Sequence, residues 1–263
     1  MPRKNRRIQT TQQPKRYKAR RIDELNSALY NNGRAIDDGS QRKVWTKHDL
    51  QTIRALTPPQ EDMVHGYLNG YDVCGFGTAG TGKTLIALYL AFLDILDEKT
   101  PRKKIIIIRS IVPTRNPGFL PGTIAEKISP HEAAYPPLFR KLFGKSSTYN
   151  DMKDVGLVEF NSTCFVRGTT IDDAIIIFDE ATNTTLEEFD SVVTRRGKNS
   201  TMFILGDLMQ NDLANTREKS GFAQALKILE TTGDYAMVKF TVNDIVRSKQ
   251  VKNWILARES LGI

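Results

Sequence analysis

Five short apolar runs recur along the chain, each about the length of a buried strand and each separated from the next by a longer, polar-interrupted segment. They are residues 72–76 (DVCGF), 105–108 (IIII), 174–178 (AIIIF), 202–205 (MFIL) and 236–240 (AMVKF). None alternates between apolar and polar positions. Unbroken runs rich in β-branched residues are the pattern of strands covered on both faces, as in a parallel sheet. Residues 60–68 and 85–96 carry helical spacing, the second apolar on nearly every face. Pro58 and Pro59 mark the break before the first of these, because a proline disfavours helix in the residue that precedes it. Strands alternating with helices predict right-handed crossovers and a three-layer α/β core, with about five parallel strands and helices on both faces. Residues 113–160 interrupt this order with six prolines and read as an irregular insertion.

Charge divides the chain differently. Of 263 residues, 38 are basic and 30 acidic. Residues 1–21 hold nine of the basic residues and no acid, so the excess of +8 belongs to this tail and the rest is close to neutral. The tail has too little apolar surface to fold and is expected to be disordered. It suits phosphate contacts, each of which would release counterions; a solubilising terminus or a nuclear localisation signal would share the composition. Residues 22–56 read as a small helical N-terminal adaptor, and 57–263 as the α/β domain. No apolar stretch is long enough to cross a membrane, and the N-terminus lacks the apolar core of a secretory signal. Two cysteines, Cys74 and Cys164, read as core packing in a reducing cytoplasm. The three histidines are too scattered for a zinc site.

The chemistry follows the first strand. Residues 77–84 read GTAGTGKT and satisfy G-x-x-x-x-G-K-[ST] in full. Gly77, Gly80 and Gly82 permit backbone angles that turn successive N–H groups inward, and Thr78, Ala79 and Thr81 complete the cradle for phosphates. Lys83 would reach the β- and γ-phosphates, and the Thr84 hydroxyl would bind Mg²⁺. The third strand ends in two carboxylates. Asp179 is expected to hold the Mg²⁺ through water opposite Thr84, and Glu180 to polarise the attacking water as general base. Both motifs fall at the carboxyl edge of the sheet, where open α/β folds bind ligands. The fourth strand runs into Gly206 and Asp207 and then Gln210, either of whose last two polar groups could sense the γ-phosphate. Arg247, Arg195, Arg196 and Arg167 are candidates to offset charge on the phosphoryl oxygens. Gln60 offers an amide that could read an adenine edge, or could be a plain helix-surface residue.

Together these segments resemble the PhoH family of phosphate-starvation ATPases, from about residue 56 to 257. The resemblance rests on GTAGTGKT at 77–84, GFLPG at 118–122, VRGTTIDDA at 166–174, FDEATNTT at 178–185, TRRG at 194–197, LGDLMQNDL at 205–213, SGF at 220–222 and DIVRS at 244–248. It implies a P-loop NTPase with a core similar to those of RecA and superfamily 1 helicases. It also implies ATP and Mg²⁺ as cofactors, and the pattern matches short versions carried by bacteriophages. By the same resemblance Gln60 is the adenine reader, Lys83 and Thr84 the phosphate-loop pair, and Asp179 and Glu180 the metal and water pair. Gln210 is the γ-phosphate sensor and Arg247 a phosphate-sensing arginine. Members described as RNA helicases, some as rings, imply nucleic acid as partner, RNA before DNA, and a homo-oligomer such as a hexameric ring. Thr182, Thr78 and Thr169 depart from the family's usual glutamine, proline and basic residue. No second helicase-like domain is visible in the sequence, so strand separation would need neighbouring subunits. The alternative is a nucleotide-gated nucleic-acid-binding module that does not unwind; a small-molecule kinase is a third class.

Overall fold

The computed structural model describes residues 44–110, 129–166, 168–207 and 220–260. Its centre is a six-stranded sheet in which every pairing is parallel. In chain order the elements are α1 (Pro58–Leu68), β1 (Asp72–Gly77), α2 (Lys83–Ile95), β2 (Lys104–Arg109), α3 (Tyr135–Phe143) and α4 (Thr148–Asp154). There follow β3 (Val158–Ser162), β4 (Ala174–Asp179), α5 (Leu186–Val193), β5 (Thr201–Asp207), α6 (Phe222–Thr232), β6 (Tyr235–Phe240) and α7 (Lys249–Ser260). Across the sheet the strands run β3-β2-β4-β5-β1-β6.

The five apolar runs are all strands, and the fold is the expected α/β P-loop NTPase. The strand count needs correction from about five to six. The addition is β3, VEFNS, which begins at the end of the segment read as irregular and runs two residues beyond it. It sits at the sheet edge, paired only with β2. Its three middle residues are half-buried, so it never needed the unbroken apolar run that marks an interior strand. The same segment also supplies two helices, α3 and α4.

Side chains of the inner strands alternate between two cores. Ile105, Ile107, Ile175 and Ile177 face one, with Met63 of α1, Leu88 and Phe92 of α2 and Phe139 of α3. Ile106, Ile108, Ile176 and Phe178 face the other, with Phe189 of α5 and Phe222 and Leu229 of α6. Helix α2 is buried on most of its surface, as its all-round apolar pattern required. Phe92 meets Phe139 and Phe143 edge to face at 5.3 and 4.8 Å, which locks α2 to α3.

Residues 44–56 carry a single 3₁₀ turn, Lys47–Asp49, and otherwise no regular element. They lie on the domain: Trp45 packs edge-on against Phe143 at 5.6 Å, and the Gln51 N–H donates to the Leu142 carbonyl at 2.7 Å. The basic tail at 1–21 and the first part of the adaptor lie outside the described residues. Cys74 is buried in the second core, whereas Cys164 is exposed, so its reading as core packing is corrected. It falls in the short turn Thr163–Phe165 beyond β3, where the edge strand has already left the sheet. Among the described residues no helix is long and apolar enough to cross a membrane.

Candidate functional site

Parallel pairing brings the carboxyl ends of the strands to one edge, and the register fixes what meets there. Gly77 is paired with Asp207 between β1 and β5, and Arg109 with Asp179 between β2 and β4. A cleft of about 350 Å³ opens at this edge between the loop before α2 and the first turns of α3, within the range of small-molecule sites.

The loop is set by backbone geometry. Gly77, Gly80 and Gly82 have φ of 122°, 73° and 82°, which side chains resist. A Cβ on Gly77 would lie 2.0 Å from the Phe240 carbonyl oxygen, so β6 approaches the loop as closely as glycine allows. The Thr78 carbonyl accepts from Thr81 Oγ1 at 3.1 Å and from Lys83 Nζ at 2.7 Å. Lys83 thus stretches back across the loop, with Thr81 Oγ1 at 3.3 Å and the Phe240 ring 5.4 Å below its ammonium. Burial lowers the Lys83 pKa, opposed by the more distant charges of Asp207, Glu180 and Asp179. Its close partners are neutral oxygens, which leaves the positive charge available to an incoming phosphate.

Opposite the lysine the two metal candidates meet. Thr84, in the first turn of α2, donates from Oγ1 to Asp179 Oδ1 at 3.1 Å. Asp179 is itself buried. The backbone N–H of Glu180 donates to the same Oδ1 at 3.1 Å, and the Tyr135 hydroxyl donates to Oδ2 at 3.0 Å. Burial, then the Asp179 charge, raises the Tyr135 pKa well above its ordinary value, so the phenol stays a donor. The donor set is two hard oxygens on adjacent elements; among the described residues no cluster of three or more His, Cys, Asp or Glu forms a metal cage. That fits Mg²⁺, which keeps waters and takes further oxygens from phosphates.

Glu180 follows directly, at the sharp exit of β4, in the left-handed region at φ 52°, ψ 39°. A non-glycine residue held there carries strain on the order of 1–3 kcal/mol, of the kind concentrated at functional sites. Its carboxylate lines the cleft 3.9 Å from Arg109 Nη2. Burial first, and then the neighbouring Asp179 charge, push its pKa up to about 7, with Arg109 acting in the opposite direction. A carboxylate with that value can take a proton near neutral pH.

Arg247 faces the loop from the other side. Val246 N–H donates to the Gly80 carbonyl at 3.1 Å, and the Arg247 side chain is so close that a Cβ on Gly80 would meet its Cγ at 3.0 Å. It is exposed and lines the cleft. Gln60 is also brought to the loop, but from beneath. Its amide donates to the Thr81 carbonyl at 2.8 Å and accepts from Leu56 N–H at 2.8 Å, with 2% of the residue exposed. Both ends of the amide are engaged with backbone, so paired bonds to an adenine edge would require it to leave these partners. Gln210 and Arg167 lie outside the described residues. Arg196 pairs through Nε with Asp72 Oδ2 at 2.7 Å at the start of β1, the opposite end of the sheet from the loop.

Arg109 and Tyr135, both polar and both lining the cleft, escaped the sequence reading. Arg109 closes the run KIIIIR, and the rule that selected Asp179, a polar residue at the carboxyl end of a buried strand, applies to it equally. Tyr135 had no such signal, because it lies in the proline-rich insertion and reaches Asp179 only through the tertiary packing of α3.

The chain matches the family described as PhoH-like protein over residues 52–259. It is 35% identical over 207 residues to a PhoH-like protein of Mycobacterium tuberculosis, covering 76% of this chain and 56% of that one. It is 35% identical over 208 residues to a PhoH-like protein of Bacillus subtilis, covering 79% and 64%. Protein PhoH of Escherichia coli K12 is 35% identical over 219 residues, covering 81% and 61%. The chain therefore spans about three-fifths of the length of these relatives. Among solved structures it is similar to the Sulfolobus solfataricus SWI2/SNF2 ATPase core in complex with dsDNA, at a TM-score of 0.39 and 14% identity, over 72% of this chain and 46% of that one. With a complete phosphate loop, a carboxylate pair at the facing strand end and a family match over most of its residues, this chain belongs to the PhoH-like family.

Proposed function

We propose that this chain is a Mg²⁺-dependent ATP hydrolase that works on nucleic acid, RNA in preference to DNA, as a homo-oligomer in the cytoplasm. The observation that carries the reading is the meeting of Thr84 with Asp179 at 3.1 Å beside a strained Glu180, across the cleft from Lys83. The loop amides and the N-terminus of α2 cradle the phosphates, and Lys83 turns from the Thr78 carbonyl to the β- and γ-oxygens. Thr84 and Asp179 would hold Mg²⁺, which would neutralise charge on the phosphates. Glu180 takes the proton of the attacking water as the water oxygen bonds the γ-phosphorus. The bond from that phosphorus to the β–γ bridging oxygen breaks, and ADP leaves with the electron pair. Arg247 contacts the γ-phosphate side, and Gln60 braces the loop from below. RNA is supported by the basic segment at 1–21 and the family resemblance. Assembly is supported by α7, whose Trp254 is 74% exposed, with Val251 one turn before it also exposed.

The test is steady-state phosphate release with and without RNA and single-stranded DNA, with native mass measured on the same samples. Lys83→Ala and Glu180→Gln should each lower turnover by about 10²–10⁴-fold. Full turnover in both variants would overturn the assignment. ATP-dependent changes in RNA affinity without duplex displacement would favour the non-unwinding, nucleotide-gated binder.

A further inference from the structure

We infer that Tyr135 is a positioning residue for the metal site: its hydroxyl holds Oδ2 of Asp179 so that Oδ1 alone is presented to Thr84 and to the cation. The inference rests on the ATPase reading above and concerns a residue outside the phosphate loop and the strand-end motifs.

The geometry is specific. The carboxylate of Asp179 receives three donors, two on Oδ1 and one, the Tyr135 hydroxyl at 3.0 Å, on Oδ2. With Oδ2 engaged, the carboxylate cannot rotate without breaking a buried hydrogen bond, and a buried acceptor stripped of its donor is costly. Groups that bond to a metal-ligating side chain in this way orient it, and their loss commonly reduces metal affinity or activity about 10–100-fold.

Tyr135 is itself rigidly seated. It opens α3, and Pro136 and Pro137 fix the backbone of that first turn. The residue is 0% exposed. Its ring packs on Tyr149, with centroids 6.2 Å apart, and on Phe160 at 5.5 Å. The hydroxyl is therefore the one polar feature of a side chain otherwise held by apolar contacts. The neighbouring Tyr149 provides a built-in comparison, because its hydroxyl donates to Glu132 at 2.7 Å and not to Asp179.

The test uses the full chain with ADP and Mn²⁺ as a spectroscopic stand-in for Mg²⁺. Mn²⁺ affinity of the ADP complex is measured by electron paramagnetic resonance, and ADP affinity is measured separately in EDTA. Tyr135→Phe keeps the ring stack and removes the hydroxyl. It should weaken Mn²⁺ binding about 10-fold or more while leaving metal-free ADP affinity within about 2-fold. Tyr149→Phe, which perturbs the same stack elsewhere, should leave Mn²⁺ affinity at the wild-type value. Equal Mn²⁺ affinity in wild type and Tyr135→Phe would overturn the inference while leaving the ATPase reading intact. An equal loss in both tyrosine variants would also overturn it, by showing a packing effect. Wild-type protein that binds no Mn²⁺ with ADP would overturn the ATPase reading and this inference with it.

Discussion

The hydroxyl of Thr84 donates to Asp179 Oδ1 across 3.1 Å, although 95 residues separate the two in the chain. The contact joins the first turn of α2 to the end of β4, and so joins the phosphate loop to the carboxylate pair. Thr84→Ala removes one of the two protein oxygens proposed to hold the metal. The expected outcome is a Mg²⁺ requirement for turnover raised about 10–100-fold, with turnover abolished by EDTA in wild type as well. Titrating phosphate release against free Mg²⁺ checks it, and an unchanged Mg²⁺ midpoint in the variant would count against a shared metal site.

Gln60 distinguishes a brace from a base reader. Its amide links Leu56 to Thr81 beneath the loop. Gln60→Ala should cost about 1–3 kcal/mol in urea unfolding, since it strands the buried Thr81 carbonyl. It should weaken ATP and GTP binding by similar factors, because the loop itself loosens. A loss confined to ATP, measured by competition with a fluorescent nucleotide, would show that Gln60 reads the adenine.

Far from the cleft, Asp94 of α2 receives Arg102 Nη2 at 2.7 Å and Nε at 3.1 Å, together with the Tyr67 hydroxyl. Burial alone would raise the Asp94 pKa, but the Arg102 bonds outweigh it and hold the value below 3.8. A depressed folded value means the pair contributes stability above about pH 4 and loses it as pH falls through the folded value. Arg102→Leu leaves a buried carboxylate without its countercharge, a loss of about 3–5 kcal/mol near pH 7. The gap between wild type and variant should be widest at the alkaline end and narrow as pH falls, because burial without Arg102 raises the Asp94 pKa in the variant and protonation relieves the penalty. Denaturant melts across a pH series measure it.

The basic segment makes a separate prediction. Deleting residues 1–21 removes nine positive charges. The slope of log affinity against log salt for single-stranded nucleic acid should flatten by as much as about 0.7 per lost phosphate contact. An unchanged slope would assign the segment another role.

Much of the site was legible because it is local. GTAGTGKT needs only its own glycines to curl into an anion cradle, and IIIFDE shows a strand and its terminal acids in six consecutive residues. β3 was not legible, since an edge strand with one pairing partner does not have to be apolar throughout. The fate of the Gln60 amide was equally hidden: a glutamine on a helix has the same appearance whether it faces a base or a carbonyl.

By itself, the order of apolar runs and turns determined the parallel sheet, its phosphate loop and the edge at which the chemistry gathers, because buried strands and glycine turns are dictated by neighbours in sequence. Only the tertiary structure decided which side chains share that edge. Tyr135 on Asp179, Arg109 beside Glu180, Gln60 beneath Thr81 and Arg196 at the opposite end with Asp72 all depend on strand order and helix packing. Those are set by how two apolar cores close around the sheet, and no short window of sequence records that closure.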